Sequence, residues 1–209
     1  MSIFNKRKVI PVVIIDNPDD VTPLMDALLE GGIDIIEITL RTKVAFRAIE
    51  KIHKLYPEVI LGAGTVITIE QARQVRETGV SFAVSPSLNT RVADFFHKTE
   101  ILFIPGIMTP SEIDLGISLG CKLQKFFPAH INGGAQGLKA LSEPFLNYNI
   151  KFCPTGGINL DNMSQYLSLE NVFAVGGSWM AKREQIRRKA WRDISLQAKK
   201  ARDHSARTL

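Results

Sequence analysis

Short apolar runs alternate with longer segments of helical periodicity eight times along this chain. The strand-like runs fall at 9–15, 33–38, 59–61, 82–84, 101–104, 122–127, 151–153 and 172–175. Between them, apolar residues recur at i, i+3 and i+4 near 18–30, 43–55, 68–78, 89–98, 110–119, 135–146 and 160–168, and a long helix is expected at the C-terminus. Turn and cap residues mark the joins: Gly31-Gly32, Gly79, Gly120, Asn17-Pro18 and Thr109-Pro110. Strands that alternate with helices imply a parallel sheet with right-handed crossovers. Eight units of about 25 residues predict a single (β/α)8 TIM barrel, slightly compact for that fold. A doubly wound open sheet is the alternative, but the Gly-x-Gly-x-x-Gly turn expected after its first strand is missing. The whole of 1–209 reads as one domain, with a basic helix and tail at about 182–209.

One strand breaks the apolar pattern in a way that points to chemistry. The run Lys122-Leu-Gln-Lys-Phe-Phe-Pro128 sets Lys125 between Leu123 and Phe127 on one face of the strand. Taking a lysine amine out of water disfavours its ammonium form. The neutral amine that remains is the nucleophile that Schiff-base chemistry uses on a ketone. An isolated strand lysine is usually an edge residue whose head snorkels to solvent, so the remaining strand ends decide between the two readings.

Chemistry in a barrel gathers where strands end and βα loops begin. Strand two reads Ile35-Ile-Glu-Ile-Thr-Leu-Arg-Thr42, which puts Glu37 inside an apolar run on the same face as Thr39. A buried carboxylate is either paired or pushed towards neutrality, and the second state suits general acid/base work; a purely structural pair with Lys125 or Arg41 is the bland alternative. Arg41, at the end of that strand, carries a fork that fits a substrate carboxylate. Strand three ends Gly62-Ala-Gly-Thr-Val66, where Thr65 offers a hydroxyl and the glycines would let a ligand approach the backbone. The last two strands end in Pro154-Thr-Gly-Gly-Ile158 and Val175-Gly-Gly-Ser-Trp179. Gly156-Gly157 and Gly176-Gly177, each expected to lead into a helix, would present backbone N–H groups and Ser178 to a phosphate. Two ordinary tight turns are the alternative.

Composition narrows the function classes. With 209 residues and 45% hydrophobic content the chain can bury one substantial core. No run of about 18 apolar residues occurs, so no membrane partner is expected. The segment 9–15 contains Pro11 and reads as a first strand rather than a signal peptide. A cytoplasmic location follows as the expectation. The net charge of +5 is a C-terminal property: residues 182–209 hold ten Lys/Arg against three Asp/Glu, whereas 1–181 hold sixteen against eighteen. Ile186, Ala190 and Ile194 recur at helical spacing there, with Trp191 beside them, which describes an amphipathic helix with a solvated basic side rather than a nucleic-acid face. Cys121 and Cys153 are too few for a disulfide scaffold. His53, His97, His130 and His204 show no metal-ligand spacing, so no metal and no cofactor is expected.

Taken together, Gly31-Gly32, Ile36-Glu-Ile-Thr-Leu-Arg-Thr42, Gly62-Ala-Gly-Thr-Val66, Ile104-Pro-Gly-Ile-Met-Thr-Pro-Ser-Glu112, Lys125-Phe-Phe-Pro-Ala129, Phe152-Cys-Pro-Thr-Gly-Gly-Ile158 and Gly176-Gly-Ser-Trp179 closely resemble the 2-keto-3-deoxy-6-phosphogluconate (KDPG) aldolases, which include 4-hydroxy-2-oxoglutarate (KHG) aldolases. The resemblance runs from the second strand to the last. It implies a metal-free class I aldolase of the Entner–Doudoroff pathway, with a (β/α)8 fold and usually a homotrimer. It implies that Lys125 forms the Schiff base, that Glu37 shuttles protons, and that Arg41 and Thr65 hold the pyruvyl carboxylate. By the same resemblance Phe127 flanks the Schiff base, and Thr155, Gly156, Gly157, Gly176, Gly177 and Ser178 meet the distal hydroxyls and phosphate. Two positions depart from the family: His130 stands where many relatives carry glutamate, and Ser87 where glycine is common. Three other readings stay open: an aldolase preferring the 6-phosphogalactonate-derived substrate, a metal-dependent phosphate-barrel lyase, and a non-catalytic sugar-phosphate sensor.

Overall fold

Each buried strand is followed by a helix that carries the chain back along the sheet, so neighbouring strands pair in parallel. In the computed structural model, which describes residues 2–207, the strands are β1 (Val9–Val13), β2 (Ile35–Thr39), β3 (Ile60–Gly64), β4 (Phe82–Val84), β5 (Leu102–Ile104), β6 (Gly106–Ile107), β7 (Leu123–Phe126), β8 (Lys151–Phe152) and β9 (Val175–Gly177). They form a six-stranded sheet in the order β5-β4-β3-β2-β1-β9 and a three-stranded sheet in the order β6-β7-β8. The two sheets approach each other at both edges. Only Pro105 separates β5 from β6, and Phe152 pairs with Val172 and Thr155 with Gly176 as isolated parallel bridges. The sequence-derived expectation is thus met as an α/β fold with parallel strands, whose ladder divides into two sheets.

Central parallel strands are covered on both faces, and β2 is buried at all five positions, Glu37 included. The helices are α1 (Val21–Glu30), α2 (Ala45–Leu55), α3 (Ile69–Arg76), α4 (Thr90–Phe96), α5 (Pro110–Ser118), α6 (Gly134–Ser142), α7 (Met163–Leu167), α8 (Arg183–Arg187) and α9 (Trp191–Ala206). Helix α2 shows why they lie on the sheet: Ala45, Ala48, Ile49 and Ile52 are buried at i, i+3, i+4 and i+7. Helices α3 and α5 start at reciprocal caps, Thr68 with Gln71 and Thr109 with Glu112. These caps fix the loops that leave β3 and β6. At the opposite end of the strands the ring of Phe4 packs on Phe82 and Phe173, with centroids 5.4 and 4.9 Å away.

Three sequence expectations are corrected. The C-terminal helix is not continuous, because Lys189 adopts a left-handed φ of 55° and separates α8 from α9. Ile186 and Ile194 are buried all the same, one on each helix. Strand three runs on to Gly64, and neither of its glycines is held open for a ligand. A Cβ at Gly62 would strike the Phe82 ring, and one at Gly64 would lie 2.0 Å from Glu37 Oε1. Finally, no helix starts directly after the late glycine pairs: α7 begins at Met163 and α8 at Arg183. The final residues of the 182–209 segment, 208–209, lie outside the described residues.

Candidate active site

The C-terminal ends of the strands surround a cavity of about 220 Å³. Period-2 geometry brings the chemistry there, since Lys125 and Phe127 share one face of β7 and its extension, and Glu37 and Thr39 share one face of β2. The alternate residue Gln124 points the other way, donating to the carbonyls of Ile113 and Cys121 beside Gly116 of α5.

Lys125 and Glu37 are 6% and 4% exposed, and Lys125 Nζ lies 3.8 Å from Glu37 Oε1. That separation is too long for a hydrogen bond. Glu37 Oε1 is buried with no hydrogen-bond partner among the described residues, a state native proteins seldom tolerate outside reactive sites. Two full charges at this distance attract by about 4 kcal/mol at an effective dielectric of 20, against several kcal/mol to desolvate each ion. Desolvation wins: burial raises the Glu37 carboxyl above the ordinary glutamate value, and the Lys125 charge offsets only part of that rise. A carboxyl shifted in this direction can exchange protons close to neutral pH. The Phe127 ring centroid is 5.0 Å from Lys125 Nζ, so an aromatic face screens the amine.

The remaining sequence candidates divide. Arg41 lies exposed at the cavity wall with no ion pair among the described residues. Thr65 lines the same wall with a φ of 62°. A β-branched residue in the left-handed region is strained by about 1–3 kcal/mol, and such strain collects at ligand sites. Thr155, Gly156, Gly157, Gly177 and Ser178 also line the cavity. Gly156 and Gly157 hold φ of 96° and 79°, conformations that leave little room for another residue type. Gly176 does not join them. Its N–H donates to Pro154 O at 2.9 Å, and a Cβ there would meet Thr155 Oγ1, so it serves the strand ladder instead of the cavity.

Sequence reasoning did not single out Val12, Ile14, Pro86 and Ile158 as wall residues. The first two are ordinary core types whose alternation in β1 was the only available signal. Cys153, beside the Lys125–Glu37 pair, is no rival nucleophile: burial pushes its thiol up to about 12. Among the described residues no group of three or more His, Cys, Asp or Glu could hold a metal ion, and no helix is long and apolar enough to cross a membrane. A larger cleft of about 510 Å³, bordered by Phe96, His97, Leu119 and Cys121, lies at the N-terminal ends of β5 and β7. Its His97, Glu100 and Lys122 are exposed and form no ion pair among the described residues, unlike the buried Lys125 and Glu37, so the smaller cavity is the better candidate.

Comparison with known proteins places this geometry in a family. The model of the KDPG and KHG aldolases matches residues 1–196. A KHG/KDPG aldolase of Escherichia coli strain K12 is 43% identical over 179 residues, covering 86% of this chain and 83% of that protein. A 2-dehydro-3-deoxy-phosphogluconate aldolase of Pseudoalteromonas atlantica is 41% identical over 199 residues, 95% of this chain and 92% of its own. Among solved structures, a KDPG aldolase from Legionella pneumophila, with pyruvate captured at low pH as a covalent carbinolamine intermediate, superposes with a TM-score of 0.91 at 42% identity, covering 95% of both chains. With a buried lysine and carboxylate facing each other at the strand ends and this similarity over nearly its whole length, the chain belongs to the KDPG and KHG aldolase family.

Proposed function

We propose that this protein is a class I aldolase that cleaves KDPG to pyruvate and glyceraldehyde 3-phosphate, and KHG to pyruvate and glyoxylate. The observation that carries the reading is the Lys125 amine, buried in the cavity 3.8 Å from a Glu37 oxygen that has no hydrogen bond among the described residues. In this mechanism the Lys125 ammonium gives a proton to Glu37, the freed amine attacks C2 of the substrate, and loss of water leaves a protonated imine. That cation draws electrons from the C3–C4 bond as a base takes the C4 hydroxyl proton. The aldehyde leaves, the enamine is protonated at C3, and hydrolysis frees pyruvate and the amine. Glu37 is the proton carrier, and Arg41 and Thr65 grip the carboxylate so that C2 faces Lys125, which is an orientation effect. Phe127 shields the imine. Thr155, Gly156, Gly157, Gly177 and Ser178 receive the distal hydroxyls and phosphate.

The same proposal includes the architecture around the site. The two sheets act as one (β/α)8 barrel over a single 1–209 domain; the single residue Pro105 between β5 and β6 and the bridges Phe152–Val172 and Thr155–Gly176 support that closure. A cytoplasmic homotrimer completes it, on the family resemblance. The test of function is an aldol-cleavage assay, with pyruvate measured, across KDPG, the 6-phosphogalactonate-derived epimer and KHG. KDPG is expected to be the preferred substrate. Absence of pyruvate from all three would overturn the aldolase reading.

A further inference from the structure

His130 has no part in the chemistry above, yet it packs against Gly157, a residue of the cavity wall. The chain leaving β7 runs beside the chain leaving β8: Ala129 N donates to Thr155 O at 2.8 Å and His130 N to Gly156 O at 3.0 Å. This register sets His130 against Gly157. A Cβ added to Gly157 would lie 2.4 Å from His130 Cβ and 3.0 Å from its Cγ, so the imidazole occupies the space that glycine leaves open. Gly157 in turn lines the cavity together with Ser178. The ring is exposed, and neither nitrogen has a hydrogen-bond or ion-pair partner among the described residues. A donor is therefore held by its backbone against a residue of the cavity wall, with no hydrogen bond among the described residues.

We propose that His130 determines specificity at the far end of the substrate, donating a ring N–H to the terminal phosphate of a six-carbon substrate. This rests on the aldolase reading and on the phosphate lying at Gly157 and Ser178. An imidazole has at least one N–H donor in either protonation state, and the anionic acceptor makes that hydrogen bond a strong one. A five-carbon dicarboxylic substrate such as KHG ends short of His130 and gains nothing from it. His130 is thus a cause of preference between long phosphorylated and short substrates, without touching the reacting atoms. The glycine at 157 is explained as well, since any side chain there would displace the ring.

The experiment compares kcat/KM of the full-length wild type, His130→Ala and His130→Gln on KDPG and on KHG. A hydrogen bond to a charged group is worth about 10- to 100-fold. His130→Ala is expected to lose about tenfold on KDPG, mostly through KM, and to stay within about twofold of wild type on KHG. His130→Gln, which keeps an N–H donor, should recover most of that loss. Unchanged KDPG kinetics in both variants would overturn the proposal, as would equal losses on both substrates. A wild type inactive on both substrates would overturn the aldolase reading itself, a result distinct from either.

Discussion

Replacing Gly64 with alanine tests whether the spacing between Lys125 and Glu37 matters or only their presence. The added methyl carbon would sit 2.0 Å from Glu37 Oε1 and 2.7 Å from Cδ, whereas ordinary contact begins near 3.4 Å. The backbone at Gly64 is not left-handed, so the strand itself accepts alanine. The carboxylate must therefore retreat by about 1.4 Å, and rotation away from β3 takes it off its 3.8 Å approach to Lys125. A displacement of about 1 Å can cost about 100-fold when geometry sets the rate, and the whole acid/base contribution is about 10²–10⁴-fold. Exchange of pyruvate methyl protons for deuterium, followed by NMR, isolates this step because it needs no aldehyde. We expect exchange to fall about 100-fold while borohydride still traps pyruvate on Lys125. Exchange within about threefold of wild type, in a protein with an unchanged melting curve, would refute the idea that this spacing matters.

Three further variants test other features of the structure. Glu37→Gln should nearly abolish methyl exchange while the Lys125 adduct still forms, and the wild-type exchange profile should show an acidic limb above pH 4.5 that the variant lacks. Because burial raises the folded-state value of Glu37, the stability it contributes is present at low pH and lost as pH rises through that value; Glu37→Gln should thus gain melting temperature relative to wild type at alkaline pH. Asp16 receives hydrogen bonds from Arg183 (2.8 and 2.5 Å) and Arg187 (2.9 Å), chiefly Arg183 holding its carboxyl down at about 2. Its contribution is therefore present above the ordinary aspartate value of 3.8 and lost as pH falls towards 2, so calorimetry should find Asp16→Asn less stable at pH 7 and equal to wild type near pH 2. Thr65→Gly relieves the left-handed φ but removes a hydroxyl, so its melting temperature should not fall, while half-maximal trapping should require about tenfold more pyruvate.

The lysine strand was legible because a charged residue in an apolar run is unusual and the period of two assigns its face. Glu37 and Arg41 followed from the same reasoning on β2. What the sequence hid was the job of individual glycines. Gly156 and Gly157 do form the cavity wall. Gly62 and Gly64, which look like a ligand-binding turn, make room for Phe82 and Glu37, and Gly176 belongs to the ladder. A glycine's neighbour comes from another strand, so no local pattern reveals it. The break between α8 and α9 was hidden for a related reason: Lys189 is neither glycine nor asparagine, and its left-handed turn carries no local signature.

The central claim is that Lys125 forms a covalent imine with the substrate ketone. Incubation with pyruvate and sodium borohydride, protease digestion and mass spectrometry test it most directly. A reduced pyruvate adduct is expected on the peptide that carries Lys125, absent in Lys125→Ala and unaffected by EDTA. An adduct on a different lysine, or an active enzyme that borohydride leaves unlabelled and EDTA inactivates, would contradict it.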